Sequence, residues 1–507
     1  MEKKNELKAG VLLSYVNLAI GMIIPIIYTP VMLRLLGQAE YGLYSLSNSV
    51  ISYLSLLTFG LGGSILRYLT KARTLEGKDS LEHTAGLFIA VYAVIAVISF
   101  AVGVCLTLFT GTFFAKGLTA WETQRLNVLI MIMSLSAAVS LLCVPYSSLI
   151  ICYERFIFRR IIEIIGTIAG PIFSLVVLYA GFASVGMAIV SVVFQIVFLG
   201  LYMFYCASRL KIHPKFRNLP LSMLKSVFSF TVFVFLSSIA DLMYWSTDKI
   251  LLGAMVSSSA VAVYNVGATF NSILQKLSTL SGVFSPRVNQ YVFLGREIDD
   301  FSELMIRVGR IQYLILSLVL SGFIAFGQVF IVMWAGEGYE EAYMVALLTM
   351  IPLVIPLIQS IAFATITAQN RHKFRSVVYV ALAFLNVIGT YLLIPHMGMI
   401  GAALCTCIVF ILGHGLIMNW FYYKKIGLDI PKFWKNIAKM TIVPLAMIIG
   451  SFLLNRYITQ VQSLLHLLCE VCIYTIIFCV LSWLISMNEY EKNLVISFFH
   501  KVRRKKG

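Results

Sequence analysis

Long, nearly uncharged apolar runs recur along the whole chain and constrain its fold more than any other feature. Only 12% of the 507 residues are charged, whereas a soluble domain carries about 25%. The mean hydropathy is +0.91. A helix needs about 20 apolar residues to cross the bilayer core, and a membrane β-barrel would instead show short alternating segments. We therefore expect an all-α integral membrane protein.

The apolar runs predict about 14 transmembrane helices joined by short connections, with no soluble domain. Basic residues ahead of the first run are not followed by a small-residue cleavage site, so we interpret that run as a span and not as a removed signal peptide. The predicted spans are 10–33, 42–65, 84–110, 126–149, 160–180, 184–207, 226–247, 260–286, 309–333, 343–367, 374–394, 398–423, 436–455 and 462–486.

The basic residues alternate between the two sides of these spans. One side, which includes both termini, carries 33 of the 39 Lys and Arg residues, and the other side carries five. Lysine and arginine are retained on the cytoplasmic side, so we expect a multi-pass protein of the cytoplasmic membrane with both termini in the cytoplasm. The net charge of +17 is then explained by topology and by anionic lipid headgroups, and not by nucleic-acid binding. The tail residues Lys501, Arg503, Arg504, Lys505 and Lys506 are interpreted as a membrane-surface anchor.

The sequence contains no pattern typical of a metal site or a nucleotide-binding loop. Cys469 and Cys472 form a CxxC pair, but no second pair or histidine cluster accompanies them, and most of the nine cysteines lie in apolar runs. We expect no catalytic residues, no metal and no cofactor. Transport would use an ion gradient or the substrate's own gradient, with Na+ and H+ both open as coupling ions.

A weak internal repeat with an offset near 216 residues divides the chain into two halves. Arg34-Leu35-Leu36-Gly37 corresponds to Ile250-Leu251-Leu252-Gly253, and Arg155 corresponds to Arg371. Six spans in each half predict two parallel six-helix bundles, 1–208 and 209–433, followed by a helix pair and basic tail, 434–507. Such repeats place the substrate site near the membrane midplane between the halves, and alternating access follows from rocking of one half against the other.

Polar residues recur at helical spacing on four spans, which indicates water-accessible faces. The faces are those of span 8 (Asn265, Thr269, Ser272, Lys276, Thr279), span 7 (Ser237, Asp241, Tyr244, Asp248), span 2 (Ser45, Asn48 or Ser49, Ser52, Ser55) and span 1 (Ser14, Asn17, Gly21, Pro25, Tyr28). Pro25 and Pro30 predict a bend in span 1. Small polar residues also join helices without a cavity, and for the serines this alternative stays open.

Lys276 and Asp241 are the main functional candidates among the charged residues within the spans. A charge at membrane depth costs about 3 kcal/mol or more unless it is paired or hydrated. Lys276 either binds an anionic group or pairs with Asp241 or Asp248. Asp248 and Lys249 are equally explained as a helix cap or as interfacial residues, and Glu163 and Glu470 are interpreted as structural. The candidate substrate-binding residues are Lys276, Asn265, Thr269, Ser272, Asn48, Ser52, Asn17, Tyr28, Tyr244 and Arg34, and the candidate ion-coupling residues are Asp241 and Asp248.

The sequence resembles the polysaccharide (O-antigen type) flippases of the multidrug/oligosaccharidyl-lipid/polysaccharide exporter superfamily. The residues that carry the resemblance are Arg34-Leu35-Leu36-Gly37-Gln38-Ala39-Glu40-Tyr41-Gly42-Leu43-Tyr44, Thr247-Asp248-Lys249-Ile250-Leu251-Leu252-Gly253 with Val263-Tyr264, and Trp334-Ala335-Gly336-Glu337-Gly338-Tyr339-Glu340-Glu341-Ala342.

This resemblance implies a function in cell-envelope polysaccharide biosynthesis, namely translocation of an undecaprenyl-pyrophosphate-linked oligosaccharide to the outer leaflet. Lys276 would attract the pyrophosphate, and the polar faces would bind sugar hydroxyls. The expected partners are this lipid-linked substrate and membrane lipids, with glycan polymerases or transferases as further candidates. Two alternatives stay open: a cation-coupled multidrug antiporter of the same superfamily, which Asp241 favours, and a membrane glycan polymerase or ligase, which the short outer loops disfavour.

Overall fold

The computed structural model describes residues 2–217, 219–220, 222–369, 371, 373–457 and 463–504. Side chains are described for 13–217, 219–220, 223, 235–279, 281–282, 284–369, 371, 373–454 and 463–497. Within these limits the chain forms α-helices and short 3₁₀ or π-helical segments, and no β-strand occurs among the described residues. The all-α prediction is therefore confirmed for the described part of the chain.

The α-helices are numbered here in chain order over the described residues. They are α1 (Glu2–Ser52), α2 (Leu61–Lys71), α3 (Lys78–Thr107), α4 (Thr110–Phe113), α5 (Ala120–Cys152), α6 (Phe156–Tyr179), α7 (Ala183–Ser208), α8 (Ser222–Trp245), α9 (Thr247–Met255), α10 (Ser258–Ser278), α11 (Ser285–Phe293), α12 (Ile298–Ala335), α13 (Ala342–Ile358), α14 (Ser360–Ala368), α15 (Lys373–Phe410), α16 (Met418–Phe421), α17 (Ile430–Tyr457), α18 (Leu464–Leu481) and α19 (Glu489–Arg504).

Glycines break two of the longest helices at predicted span boundaries. The helical dihedrals of α1 are interrupted at Gly37 (φ 74°, ψ 170°), and those of α15 at Gly398 (φ 56°, ψ −136°). Both positions have a positive φ, which a glycine adopts without steric cost. Predicted spans 1 and 2 therefore meet at Gly37, whereas Pro25 and Pro30 lie inside the helix before it.

Nine helical stretches in the described part of the chain are long and apolar enough to cross a membrane. The number becomes ten if the bent pair Ala342–Ile358 and Ser360–Ala368 is one span. Two of the nine correspond to pairs of predicted spans: Lys373–Ile426 contains 374–394 and 398–423, and Leu13–Thr58 overlaps most of 10–33 and 42–65. The chain is thus a multi-pass membrane protein, and the arrangement of fourteen spans in two bundles stays a prediction.

The helices form two compact units that each include two segments of the chain. One unit comprises Met1–Asn265 and Tyr379–Ala402, and the other comprises Val266–Val378 and Ala403–Gly507. The domain boundaries that we predicted from the repeat, 208/209 and 433/434, stay a prediction.

In the first unit, α5 packs against α3 and α7, and α1 packs against α6. Large apolar side chains fill its core, among them Phe88, Tyr92, Leu149 and Ile150. The connection after α7 is fixed to this unit because the Lys215 ammonium donates to the carboxylates of Asp79 and Glu82 at 2.5 and 3.3 Å. The hydrogen bond to Asp79, followed by that to Glu82, raises the pKa of Lys215.

In the second unit, α12 packs against α13, α17 and α18. A buried ion pair holds the C-terminal helix α19, which we had not predicted, to the start of α12. The Arg310 guanidinium donates from Nε to Glu491 Oε1 at 2.6 Å and from Nη2 to Glu491 Oε2 at 2.9 Å. It also donates to the Ser486 carbonyl at 2.8 Å. The side chains of Lys501, Arg503, Arg504, Lys505 and Lys506 lie outside the described residues, so the proposed membrane anchor stays a prediction.

Glycines permit close backbone contacts between α1 and the segment 247–265 of the first unit. A Cβ atom at Gly42 would lie 1.9 Å from the carbonyl oxygen of Ser258. A Cβ atom at Gly253 would lie 2.7 Å from a methyl group of Leu46. The start of α10 therefore approaches the α1 backbone this closely because position 42 is glycine, and a side chain at position 253 would require the Leu46 side chain to move.

We predict that Gly42→Ala lowers the stability of the folded protein. The added methyl group must displace the Ser258 backbone, and overpacking of this kind costs about 1–3 kcal/mol. Thermal unfolding in one detergent should therefore show a lower midpoint for Gly42→Ala. The matched control is Gly21→Ala in the same helix, where a Cβ atom meets nothing within 4 Å and the midpoint should not fall. Equal midpoints for Gly42→Ala and wild type would contradict the packing argument.

Candidate functional site

The first unit contains a cavity of about 730 Å³, which lies within the size range of small-molecule sites. Its walls come from α1, α6 and α7, and single residues of α9 and α10 complete it. Hydrogen-bonding side chains line much of it: Asn17, Tyr28, Tyr41, Tyr44, Ser45 and Asn48 from α1, Glu163, Thr167 and Ser174 from α6, Ser191 and Gln195 from α7, Lys249 from α9 and Asn265 from α10. The cavity can therefore hold a polar group within an otherwise apolar bundle.

A lysine, an asparagine and a tyrosine form a hydrogen-bonded chain at the cavity wall. The Lys249 ammonium donates to Asn265 Oδ1 at 3.1 Å, and Asn265 Nδ2 donates to the Tyr41 hydroxyl at 2.6 Å. All three side chains line the cavity. Lys249 is partly buried, so its charge acts where solvent screening is reduced. This chain fixes an ammonium group where an anionic part of a ligand can reach it.

Local packing explains how Lys249 reaches the cavity. Lys249 and Gly253 are four residues apart on α9 and therefore lie on the same face of that helix. The contact between Gly253 and Leu46 turns this face toward α1.

Asp248, the residue before Lys249, is a buried carboxylate that does not line the cavity. It is 1% exposed, accepts a hydrogen bond from the Tyr264 hydroxyl at 2.5 Å, and accepts a second from the Thr390 hydroxyl at 3.2 Å. Asp248 lies in the first turn of α9, where a negative charge interacts favourably with the helix dipole. These contacts satisfy a buried charge that would otherwise be very costly.

A second charged group lines the cavity on α6. The Glu163 carboxylate accepts from Arg159 Nε at 2.9 Å and from Arg160 Nη1 at 2.5 Å. The Thr167 hydroxyl, one turn further along α6, lies 3.4 Å from Asn17 Oδ1. Arg159 and Arg160 do not line the cavity themselves, and their ion pairs with Glu163 offset the negative charge of this carboxylate in the wall.

Four of the sequence-predicted binding residues line the cavity together, namely Asn17, Tyr28, Asn48 and Asn265. The Asn48 amide donates to the Tyr44 carbonyl at 3.0 Å, which holds its side chain against α1. Three of these residues lie on α1, and the hydrogen bond from Asn265 to Tyr41 brings the fourth, from α10, to the same cavity.

The other predicted site residues lie outside this cavity. The hydroxyls of Ser52 and Ser272 donate to the carbonyls of Asn48 and Thr269, each at 2.7 Å, within their own helices. Arg34 is exposed, whereas Thr269 and Lys276 are partly buried. The binding and coupling roles of all these residues stay predictions.

Asp241 and Tyr244 meet α15 within the first unit. The Tyr379 hydroxyl donates to Asp241 Oδ1 at 2.9 Å. The centroids of the Tyr379 and Tyr244 rings lie 4.9 Å apart. Asp241 is exposed and Tyr244 is buried. The Asp241 carboxylate is therefore accessible, and the hydrogen bond from Tyr379 fixes its orientation.

Sequence reasoning missed the cavity roles of Lys249 and Glu163, which we had interpreted as a cap or interfacial residue and as a structural residue. It also missed the walls from α6 and α7. A weak signal for these walls exists in the sequence, because Thr167 and Ser174 on α6 and Ser191 and Gln195 on α7 recur at helical spacing.

The first part of the chain matches a known protein family. Residues 7–291, more than half of the chain, match the polysaccharide biosynthesis protein family, and the chain belongs to that family. No curated protein matches the sequence.

Solved structures of transporters share the fold. The lipid II flippase MurJ in its inward closed conformation has a TM-score of 0.73 at 14% identity, over 96% of this chain and 99% of MurJ. An inward-facing multidrug resistance MATE transporter of the MOP superfamily has a TM-score of 0.67 at 12% identity, over 83% of this chain and 99% of the transporter. The Vibrio cholerae MATE transporter VcmN in the bent form has a TM-score of 0.54 at 13% identity, over 85% of this chain and 99% of VcmN.

The chain thus belongs to the polysaccharide biosynthesis protein family and shares its fold with the MurJ flippase and with MATE transporters. The solved structures that share the fold are those of a flippase and of transporters, which agrees with the prediction that the chain is not an enzyme.

We predict that Tyr264→Phe destabilises the protein, because the buried Asp248 carboxylate loses a donor. A hydrogen bond to a charged group contributes about 1.5–3 kcal/mol. The thermal unfolding midpoint of Tyr264→Phe should fall clearly, whereas Tyr179→Phe, which removes the hydroxyl of a 71% exposed tyrosine, should leave it unchanged. If both variants unfold at the wild-type temperature, the Tyr264 hydroxyl does not stabilise Asp248.

Proposed function

We propose that this protein is a flippase that moves an undecaprenyl-pyrophosphate-linked oligosaccharide across the cytoplasmic membrane by alternating access. The observation that supports the proposal most directly is the cavity of about 730 Å³, with its amide and hydroxyl lining and the Lys249 ammonium. A chain whose termini are both cytoplasmic, as the basic residues indicate, would receive this substrate in the inner leaflet and release it in the outer leaflet.

The chemistry of the cavity matches the two polar parts of such a substrate. Sugar hydroxyls both donate and accept hydrogen bonds, as do the amides of Asn17, Asn48 and Gln195. A pyrophosphate requires cations, and Lys249 supplies a point charge for it. The polyprenyl tail needs no protein cavity because it can remain in the bilayer. This division explains why a polar cavity of limited size suffices for a long lipid.

A multidrug antiporter is the second candidate. Such a protein would transport organic cations, which require an acidic cavity. Among the described residues that line this cavity, Glu163 has the one carboxylate, and Arg159 and Arg160 already pair with it. The lining therefore favours an anionic, sugar-bearing substrate over a cationic drug.

We predict that Lys249→Gln strongly slows flipping. The variant keeps a polar side chain but loses the charge, and a charge-assisted hydrogen bond of about 1.5–3 kcal/mol corresponds to roughly a 10- to 100-fold change. The measurement follows a fluorescent polyprenyl-pyrophosphate oligosaccharide from the inner to the outer leaflet of proteoliposomes. Lys116→Gln, at an exposed lysine outside the cavity, is the matched control.

Two results would contradict different parts of this proposal. Wild-type flipping rates in Lys249→Gln would exclude Lys249 from the mechanism. Uptake of organic cations by a wild-type protein that leaves the glycolipid untouched would instead support the antiporter. Lys276→Ala belongs in the same series, because Lys276 remains a separate candidate for the pyrophosphate-binding cation.

We also propose that Asp241 couples transport to an imposed Na+ or H+ gradient. Its carboxylate is exposed and held by the Tyr379 hydroxyl, so it can take up a cation or a proton without losing a buried partner. We expect wild-type flipping to accelerate when a gradient is imposed and Asp241→Asn to be insensitive to that gradient. If Asp241→Asn still responds, the coupling group lies elsewhere, and Asp248→Asn is the next variant to test.

A further inference from the structure

Gly170 lies on the α6 wall of the cavity, four residues from Gly166 and four from Ser174. Residues at this spacing share one helix face, and all three line the cavity. The two glycines have different surroundings. A Cβ atom at Gly166 would lie 2.7 Å from the Phe198 ring, whereas a Cβ atom at Gly170 would meet nothing within 4 Å. The space next to Gly170 is therefore empty of protein atoms.

The surrounding walls of the cavity are fixed by packing. On α7, the Phe194 and Phe198 rings make an edge contact with centroids 5.8 Å apart, and Phe173 of α6 packs on Phe194 at 5.7 Å. On the side of α1, the Thr167 hydroxyl lies 3.4 Å from Asn17 Oδ1. Since packed aromatic rings and hydrogen-bonded walls give way little, the width of the cavity near Gly170 depends on the residue at that position.

We infer that Gly170 determines the size of the glycan head group that the cavity admits. The inference rests on the proposed function and adds the substrate class: the cavity accepts head groups of several sugar units because position 170 carries no side chain. A larger residue at 170 would occupy space that a long head group needs, while a single sugar would still have room beside the amide and hydroxyl lining. Gly170 is thus a specificity-determining residue that acts through volume alone.

The test uses Gly170→Leu and Gly170→Trp in the full chain. Gly200→Leu and Gly200→Trp are matched controls, because Gly200 lies on the neighbouring α7, is exposed, does not line the cavity and has nothing within 4 Å of an added Cβ atom. The same polyprenyl pyrophosphate is supplied with either one sugar or a chain of several sugars, and flipping of each is measured in proteoliposomes. In parallel, binding of the corresponding free saccharides to the detergent-solubilised protein is measured.

We expect Gly170→Trp to reduce flipping and binding of the long glycan about tenfold or more, a loss of about 1.4 kcal/mol or more, and to leave the single sugar within about twofold of wild type. Gly170→Leu should give a smaller loss in the same direction, and the Gly200 variants should behave as wild type. Equal losses for both lengths, or no loss for either, would overturn the inference.

The two measurements also separate this inference from the proposed function. A wild-type protein that binds both saccharides but flips neither lipid would refute the flippase, and a selective loss of long-glycan binding in Gly170→Trp would still support the role of Gly170. A wild-type protein that flips both lipids, with Gly170→Trp unchanged for both, would refute the size limit and leave the flippase standing. A wild-type protein that binds neither saccharide and flips neither lipid would refute both.

Discussion

The absence of water from the bilayer core is the constraint on which the rest of the structure depends. It forces the backbone into helices, which satisfy their own hydrogen bonds, and it requires every ionised side chain at depth to find a partner. In the first unit these partners form local networks, as in the hydrogen bond of Lys249 to Asn265 and the ion pairs of Glu163 with Arg159 and Arg160. The same networks that stabilise the charges also fix them in the cavity wall.

Glycine packing makes this arrangement possible. Gly42 and Gly253 allow the segment 247–265 to approach α1 at backbone distance, and this approach lets Asn265 reach both Tyr41 and Lys249. A side chain at Gly42 would have to displace the Ser258 backbone, and one at Gly253 would have to displace the Leu46 side chain. The cationic site therefore depends on the absence of two Cβ atoms as much as on the presence of a lysine.

The sequence predicts the helical membrane class and the family well, because apolar length and a few motifs carry that information locally. It predicts the site only in part. A polar stripe whose hydroxyls donate to their own helix, as at Ser52 and Ser272, has the same sequence pattern as one that faces a cavity, as at Asn17 and Tyr28. Lys249 could not be placed because its position depends on where α8 ends and on how closely α9 packs against α1, which are properties of the tertiary fold.

The hydrogen bond between Lys249 and Asn265 is compatible with substrate binding and does not compete with it. An ammonium group has three N–H donors, and the bond to Asn265 uses one of them. Lys249 can thus keep its position through Asn265 while it donates to an anionic oxygen. Because Asn265 is itself held by Tyr41, the lysine does not have to be ordered when the ligand arrives, and less conformational entropy is lost on binding. A preorganised cation of this kind suits a carrier, which must bind its substrate strongly enough to select it and weakly enough to release it.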